Sequence, residues 1–231
     1  MKISISIFAA LIVLLSACTE TEIGRSKDIE PNAIAQDFTL KYYESDKKLI
    51  VNTKFRVSGL NGTTLVLDAP SKVLLNNNVG ILDSTKFEGA YYTWTLPLTT
   101  AKAQHTITYI DKKGKTLTNN FTFSGFELGA QIPEVAEQNK DLLLMLNGLN
   151  NGDEVLLELR DTASNKGAEF LNLKVNNNTI TIATETLKKL KKGNITLQIM
   201  CYKKEPLKQL TGEAGMLNYD YHLNQRNFTL K

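Results

Sequence analysis

The stretch "LIVNTKFRV", Leu49 to Val57, decides the fold class. Apolar residues and one threonine occupy every second position, so Leu49, Val51, Thr53, Phe55 and Val57 share one face of an extended segment. The residues between them are mostly polar or charged. This alternation predicts a half-buried β-strand with one face in a core.

The same alternation recurs along the chain. "HTITYID", which begins at His105, places Ile107 and Tyr109 on one face, and "NNFTFS" does the same with Phe121 and Phe123. Turn-forming residues separate such runs about every 8 to 12 residues, which is the spacing of an all-β sandwich. The chain is therefore predicted to be all-β.

The second half of the chain repeats short segments of the first half. Four pairs of segments match in the same order: "SGLNGTTLVLD" (58–68) with "NGLNNGDEVLLE" (147–158), "NNN" (76–78) with "NNN" (176–178), "TITYI" (106–110) with "TLQIM" (196–200), and "NFTF" (120–123) with "NFTL" (227–230). Four matches in one order predict a duplication.

The repeats predict two tandem immunoglobulin-like β-sandwich domains, at 36–125 and 126–231, each close to the usual size of such a unit. The second copy is enlarged in two loops, "RDTASNKGAE" (160–169) and "KKEPLKQLTGEAGMLN" (203–218). Loop insertions cost little free energy, and function tends to lie in loops. Drift without selection is the alternative origin of both enlargements.

The N-terminus carries a targeting signal. Residues 3–17, "ISISIFAALIVLLSA", form an apolar run shorter than the roughly 20 residues that a membrane-spanning helix needs. The run ends in Leu15, Ser16, Ala17 and Cys18, which resemble the bacterial lipobox. The resemblance implies that the signal peptide, 1–17, is cleaved and that Cys18 is acylated. An ordinary signal peptide that happens to contain a cysteine is the alternative.

The residues after Cys18 bear on the location of the protein. Several acyl chains on one cysteine give stable anchoring. Position 19 lacks the Asp that would suggest inner-membrane retention, so an outer-membrane lipoprotein is expected. Glu20 and Glu22 loosely resemble the acidic export tract of surface lipoproteins in the Bacteroidetes, and a periplasm-facing lipoprotein is the alternative. Residues 18–35 have little apolar content and are predicted to form a lipidated, flexible tether.

No motif in the sequence predicts catalysis, a cofactor or a metal site. The formal net charge is +3, and the basic residues form no stripe interleaved with aromatics, so no nucleic-acid partner is expected. Nucleotide-binding loops, zinc-ligand spacings and the G-x-S-x-G elbow are absent from the sequence. Cys201 lies in a predicted strand, where a buried thiol is expected, and His105 and His222 are the only histidines.

Two patterns give candidate sites of low specificity. In "YYTWTL", Tyr92 and Trp94 share one face of a strand, where they either anchor the core or, if that face is exposed, form a stacking platform for a sugar ring. The triplets "DST" and "DTA" match the short Asp-Ser/Thr acceptor pattern of Bacteroidetes O-glycosylation, which makes Ser84 and Thr162 candidate acceptors.

These observations favour a non-catalytic adhesion, scaffolding or assembly module that is anchored to a membrane by lipid. A protein partner in the envelope would bind by strand addition to a sheet edge or through the enlarged loops. A glycan-binding surface lipoprotein is the alternative, and an envelope hydrolase is a remote one.

Overall fold

A computed structural model describes residues 22–161 and 167–231 of the chain. Nearly all regular structure in these residues is β-strand, arranged as two sandwiches that follow one another along the chain. The predicted all-β class with tandem immunoglobulin-like sandwiches is confirmed. Two one-turn helices, α1 (Leu98–Ala101) and α2 (Thr184–Leu187), are the α-helices of the described residues.

Ten strands lie between residues 22 and 125, the described part of the first half. They are β1 (Ile23–Arg25), β2 (Ile34–Tyr43), β3 (Lys48–Val57), β4 (Thr63–Val66), β5 (Lys72–Leu75), β6 (Asn78–Val79), β7 (Ile81–Thr85), β8 (Gly89–Pro97), β9 (Gln104–Ile110) and β10 (Thr116–Thr122). In one sheet, β3 pairs with β2 on one side and with β8 on the other, and β7 pairs with the far side of β8. Strand β4 pairs with the end of β3 that lies beyond β8, and β1 pairs with β4. The opposite sheet has the order β10-β9-β5-β6.

Nine strands lie in the second half, counted over residues 126–161 and 167–231. They are β11 (Glu127–Leu128), β12 (Val135–Ala136), β13 (Leu142–Asn147), β14 (Glu154–Asp161), β15 (Glu169–Lys174), β16 (Thr179–Ile182), β17 (Gly193–Pro206), β18 (Gly215–His222) and β19 (Arg226–Leu230). One sheet has the order β11-β13-β16. The other contains β15, β14 and β17, with β18 and β19 following one another along the far edge of β17.

The stretch that predicted the fold class forms β3, and its alternation is the alternation of the core. Leu49, Val51, Thr53 and Phe55 are fully buried, as predicted. Phe55 packs against the rings of Phe38, Tyr92 and Tyr109, so both sheets of the first sandwich meet at this side chain. Burial of one face of each strand supplies the driving force for the layered fold.

A parallel strand pair joins the two sandwiches into one sheet. Strand β2 of the first half pairs with β18 of the second, in a register that runs from Gln36 opposite Gly215 to Tyr43 opposite His222. The principal sheet therefore has 12 strands drawn from both halves. The predicted boundary between residues 125 and 126 lies between the last strand of the first sandwich and the first strand of the second. The two sandwiches are nevertheless joined by the continuous backbone hydrogen-bond ladder between β2 and β18.

Aromatic side chains fill the junction beneath this ladder. The ring of Tyr221 lies 5.4 Å from that of Phe123 and 6.2 Å from that of Tyr42, both in the first half. Phe126, on the segment that connects the halves, packs on the other side of Tyr221 at 6.1 Å. All four side chains are buried. Because the junction is apolar and closely packed, it resembles a domain core more than a loose interdomain contact.

The enlarged hairpin of the second half, 203–218, is a structural part of the junction. Its strands extend β17 and form β18, and its loop lies against the first sandwich. The backbone nitrogen of Gln209 donates to Asn119 Oδ1 at 3.0 Å, and Asn119 Nδ2 donates to the carbonyl oxygen of Gln209. The Thr211 hydroxyl donates to the carbonyl oxygen of Ile34 at the start of β2. This enlargement therefore has a packing role that drift alone does not explain.

The segment predicted as a flexible tether, 18–35, is built into the fold from Ile23 onward. Strand β1 pairs in parallel with β4, and the Arg25 guanidinium forms a salt bridge with Asp68. Ser26 is buried, and its hydroxyl accepts a hydrogen bond from the backbone nitrogen of Asp68 at 2.7 Å. The flexible-tether prediction is therefore wrong for this part, because low apolar content does not exclude strand pairing through the backbone. Residues 18–21 lie outside the described residues.

Two of the four pairs of repeated segments occupy corresponding positions. "TITYI" and "TLQIM" lie in β9 and β17, and "NFTF" and "NFTL" lie in β10 and β19. In the first pair, β4 joins the sheet of β3, whereas β14 joins the sheet of β17, the counterpart of β9. Gly59 and Gly148, in the first matched pair, both adopt positive φ. The "NNN" segments both form turns with two left-handed asparagines, but one joins β5 to β6 within a sheet and the other joins β15 to β16 in different sheets. That match reflects the turn chemistry of asparagine.

We predict that the two halves unfold in one cooperative transition. Tyr221→Ala removes a buried ring from the junction and should lower the free energy of unfolding by about 3–5 kcal/mol. Because the only tryptophan, Trp94, lies in the first half, its fluorescence should shift to lower denaturant together with the far-ultraviolet circular dichroism of the whole chain. The exposed Phe170→Ala is the control, with a change within about 0.5 kcal/mol. An unmoved Trp94 transition in Tyr221→Ala would show independent halves.

Candidate functional site

A polar cleft of about 500 Å³ lies where the two sandwiches meet. One wall comes from the end of β10 and the residues after it, including Asn120, Thr122 and Ser124. The other comes from the turn before β14 and from the extended part of the β17–β18 hairpin. Junctions between domains are common positions for ligand sites, and this volume is within the usual range.

A lysine held between two carboxylates forms the charged centre of this cleft. Lys203 Nζ lies 3.0 Å from Asp153 Oδ1 and 2.8 Å from Glu205 Oε1. The Tyr219 hydroxyl donates to the second oxygen of Glu205 at 2.9 Å, and Lys203 also lies over the Tyr219 ring, 5.5 Å from its centroid. One ammonium group thus bridges two carboxylates in this cluster.

The pKa values in this cluster follow from burial and pairing. Burial acts to raise the pKa of Glu205, but hydrogen bonds from Lys203 and Tyr219 outweigh it, and the pKa is lowered. Burial acts to lower the pKa of Lys203, but its hydrogen bonds to Glu205 and Asp153 raise it. Burial and the hydrogen bond to Glu205 both raise the pKa of Tyr219. Glu205 and Lys203 therefore stay ionised and paired at neutral pH, and Tyr219 stays neutral.

The floor of the cleft is apolar and chemically inert. Cys201 is buried there, as predicted, beside Tyr221 and Phe121. Burial is the main cause that raises the pKa of the Cys201 thiol to about 11. Because the thiolate is the reactive form, this cysteine is a poor nucleophile at physiological pH. The cleft can hold a small polar molecule through amides, hydroxyls and paired charges, but it contains neither histidine.

The aromatic pair proposed as a sugar platform lies in the core. Tyr92 is 8% exposed and Trp94 is 9% exposed. The Tyr92 hydroxyl accepts a hydrogen bond from the backbone nitrogen of Leu67 at 2.8 Å, and Trp94 Nε1 donates to the carbonyl oxygen of Asn78 at 3.0 Å. Both residues therefore anchor the core, and the exposed face that a stacking platform would require is not present at Tyr92 and Trp94. Their polar atoms have hydrogen-bond partners, as buried aromatics require.

The two histidines lie far apart in the fold. His105 is buried in β9, where Asn76 Nδ2 and the carbonyl oxygen of Ala101 each lie 2.8 Å from one of its ring nitrogens. His222 lies on β18, 2.7 Å from Asp220 Oδ1, and its ring stacks on Tyr43 with centroids 4.7 Å apart. Asp220 and His222 share the outer face of the sheet, on either side of the buried Tyr221.

One of the three candidate modification sites lies within the described residues. Ser84 is exposed on β7, where an acceptor hydroxyl would be accessible. Thr162 and Cys18 lie outside the described residues, so O-glycosylation of the first and acylation of the second stay predictions.

Strand β7 forms an edge with unusual exposure. Within the described ranges it pairs with β8 alone, and all five of its residues are exposed. Ile81 is 69% exposed, and Leu82 and the neighbouring Val79 are also exposed. Asp83 is the one charge on the strand, and its carboxylate accepts hydrogen bonds from the Tyr91 hydroxyl and the backbone nitrogen of Ser84. Apart from Asp83, this edge lacks the charges that usually protect free edges.

Sequence reasoning missed both the cleft and the β7 edge. The cleft exists because β17 and β18 extend to the first sandwich, a contact between distant parts of the chain. The edge carried a local signal, since "ILDST" follows "NNNVG" as a short β-favouring run. That signal predicts a strand, but it cannot say that one side of the strand stays unpaired.

The described residues lack two features that would point to a membrane span or a metal site. Residues 22–161 and 167–231 contain no helix that is long and apolar enough to cross a membrane. The same residues contain no group of three or more His, Cys, Asp or Glu side chains placed to hold a metal ion.

Comparison with known proteins identifies no family. No family model matches the chain, and no curated protein matches it. Among solved structures, the chain is similar to a tetra-tandem repeat in the extending region of a large adhesion protein, with a TM-score of 0.28, 14% identity, and 86% of this chain and 50% of that chain covered. It is also similar to fibronectin(III)-like modules of CbhA from Clostridium thermocellum, with a TM-score of 0.24, 9% identity, and coverage of 79% and 89%.

A third similarity is to the α2-macroglobulin of Salmonella, with a TM-score of 0.25, 12% identity, and coverage of 81% of this chain and 14% of that chain. The chain thus spans half of the adhesion-repeat chain and about a seventh of the macroglobulin. At these scores the similarities carry no inference about function, and the fold class depends on the strands described above.

The charged cluster of the cleft predicts a pH-dependent contribution to stability. Because the folded-state pKa of Glu205 is lowered, its contribution is present above the ordinary glutamate pKa of about 4.3 and is lost as the pH falls through the folded value. Lys203→Met should therefore lower the free energy of unfolding by about 1–2 kcal/mol at neutral pH, which is less than the loss from breaking a fully buried pair. The loss should be smaller still near pH 3. Denaturant unfolding at both pH values measures this difference.

The control for that experiment is Lys174→Met, because the Lys174–Glu154 pair is exposed and its nitrogen–oxygen distance is 3.8 Å. Exposed pairs contribute about 0–1 kcal/mol, so this variant should change stability little at either pH. A Lys203→Met deficit that is the same at both pH values would contradict the electrostatic assignment.

Proposed function

We propose that the chain is a non-catalytic binding module of the bacterial cell envelope. Lipid at Cys18 would anchor it to the outer membrane, and the free edge of β7 would capture an extended segment of a partner protein. The single observation that supports this function best is the five-residue exposed edge of β7 with its apolar side chains.

Strand addition suits the geometry of this edge. An added strand would form backbone hydrogen bonds along β7, while side chains on alternate faces would set specificity. Ile81 and Leu82 point to opposite faces, so a partner segment with apolar residues on both faces would match them. Asp83 favours a basic residue near the centre of that segment.

The edge at β15 supports this function less well. Strand β15 also has one partner strand in the described part of the chain, and Phe170 on it is exposed. Glu169 and Lys174 stand at its two ends, and charges of this kind discourage added strands. The edge of β7 is therefore the favoured partner site.

The lipid anchor follows from the sequence, and the fold determines what it would hold. Ile23 is the fifth residue after Cys18, and five extended residues reach at most roughly 17 Å. Since β1 pairs with β4 from Ile23 onward, an acylated Cys18 would hold the first sandwich close to the bilayer. The first sandwich would then stand close to the membrane surface.

Cys18→Ser tests the anchor. The variant should fail to carry acyl chains and should move from the membrane fraction to the soluble fraction, because its remaining contacts lack the hydrophobic anchor. Mass spectrometry of the N-terminal peptide and fractionation of cells measure the two effects. A wild-type protein with an unmodified Cys18 that washes free of membranes would refute the anchor.

A photocrosslinking amino acid in place of Ile81 tests the edge. Irradiated cells should give one protein adduct, and the crosslinked peptide should map to an extended apolar segment of that partner. The Ile81→Lys variant should abolish the complex at little cost in stability, since charges on edge strands oppose strand addition. The same probe in place of the exposed Leu143, on β13, is the control. Equal adducts at both positions, or none at Ile81, would contradict the proposal.

A further inference from the structure

We propose that the tip of the β7–β8 hairpin, led by Phe87, inserts into the membrane interface beside the lipid anchor. This inference rests on the proposed acylation of Cys18 and adds a second, protein-made contact with the same bilayer. Its occupant is a lipid surface at the depth of the headgroups and upper acyl chains.

The hairpin tip and the strand nearest the anchor are neighbours through one buried residue. Thr64 of β4 pairs with Ile23 of β1, and its side-chain oxygen accepts a hydrogen bond from the backbone nitrogen of Ala90 at 2.9 Å. Gly89, at the end of the tip, has a φ of +70° and lies against Thr64 so closely that a Cβ there would come within 2.2 Å of Thr64 Oγ1. The tip is thus fixed beside the point where the chain arrives from Cys18.

The side chains at this end have the chemistry of a membrane-interface contact. Phe87 is 88% exposed, the largest exposure among the large apolar side chains of the described residues. Ile23, on the neighbouring strand, is also exposed. Lys86 precedes Phe87, and lysine can place its alkyl stem in the interface while its ammonium group stays at the headgroups. Apolar side chains at this end would lose contact with water on insertion.

The acidic residue of the tip is held back from the membrane side. Glu88 lies 3.4 Å from Lys41 Nζ and 3.2 Å from Lys54 Nζ, on β2 and β3. Its backbone nitrogen donates to the Thr85 hydroxyl at 2.9 Å, which closes the turn. The carboxylate is therefore neutralised against the sheet, and the turn presents Phe87 from a defined backbone.

A second membrane contact would restrict the orientation of the anchored protein. Acyl chains on one residue hold a protein at a bilayer but leave it free to rotate. An inserted tip beside the anchor would fix the direction in which the two sandwiches stand, because the junction between them is a continuous sheet. Combined weak membrane signals are a common means of stable attachment.

The test uses the acylated protein in liposomes with a fluorescent probe beside the tip. A thiol-reactive NBD group is attached to Lys86→Cys, which leaves Phe87 in place. Cys18 is acylated and Cys201 is buried, so the introduced thiol is the reactive one. Leu143→Cys, exposed on β13 in the second half, carries the control probe. Liposomes are prepared with and without lipids that bear a shallow spin-label quencher.

We expect the probe at Lys86→Cys to emit at shorter wavelength and to lose most of its emission with the quencher lipid, while the probe at Leu143→Cys changes little. Adding Phe87→Ser to Lys86→Cys should remove most of that quenching although the protein still sediments with the liposomes. Sedimentation with equal accessibility of both probes would overturn the tip contact and leave the anchor intact. Failure of the wild-type protein to sediment would refute the anchor itself.

Discussion

The parallel ladder between β2 and β18 is the interaction on which the rest of the structure depends. Each strand would otherwise be a long free edge, because β2 ends the sheet of the first sandwich and β18 ends the extended sheet of the second. Free edges of this length invite aggregation unless they are covered. Here each edge covers the other, and the buried rings of Tyr42, Phe123 and Tyr221 close the junction beneath. Two sandwiches that could have formed a flexible tandem array thus become one body.

The enlarged hairpin supplies one side of this junction. Strand β17 has 14 residues, twice the 7 of its counterpart β9. Its first part pairs with β19, as in a sandwich of ordinary size, and its second part pairs with β18, which then meets β2. The additional length forms the pairing surface, and Gln209 and Thr211 hold the loop against the first half. The cleft around Lys203 is a consequence of the same extension, since its second wall is this hairpin.

The sequence predicted what depends on local alternation, and it failed where a contact joins distant segments. The strand around Phe55, the inward side of Tyr221 and the buried thiol of Cys201 were predictable, because burial on one face imposes a period of two. Whether Tyr92 and Trp94 face a core or solvent could not be predicted, because the period is the same in both cases. The tether prediction failed at Ile23 because backbone pairing does not need apolar side chains. The pairing of β2 with β18, and hence the cleft, has no local signal.

The rigidity of the junction gives the N-terminus its importance. On a flexible tether the direction of a binding edge would average out, and only its distance from the membrane would matter. If Cys18 is acylated as proposed, strand β1 limits that freedom, because its ladder with β4 starts at Ile23. Thr64 then connects β1 to the β7–β8 hairpin, whose tip bears Phe87 and whose outer strand is the free edge. Strand β1, the tip and the edge therefore belong to one rigid unit, and an inserted tip would set the angle at which a partner strand could meet β7. A protein held in this way would select partners by where their extended segments lie relative to the membrane, in addition to the side chains that those segments carry.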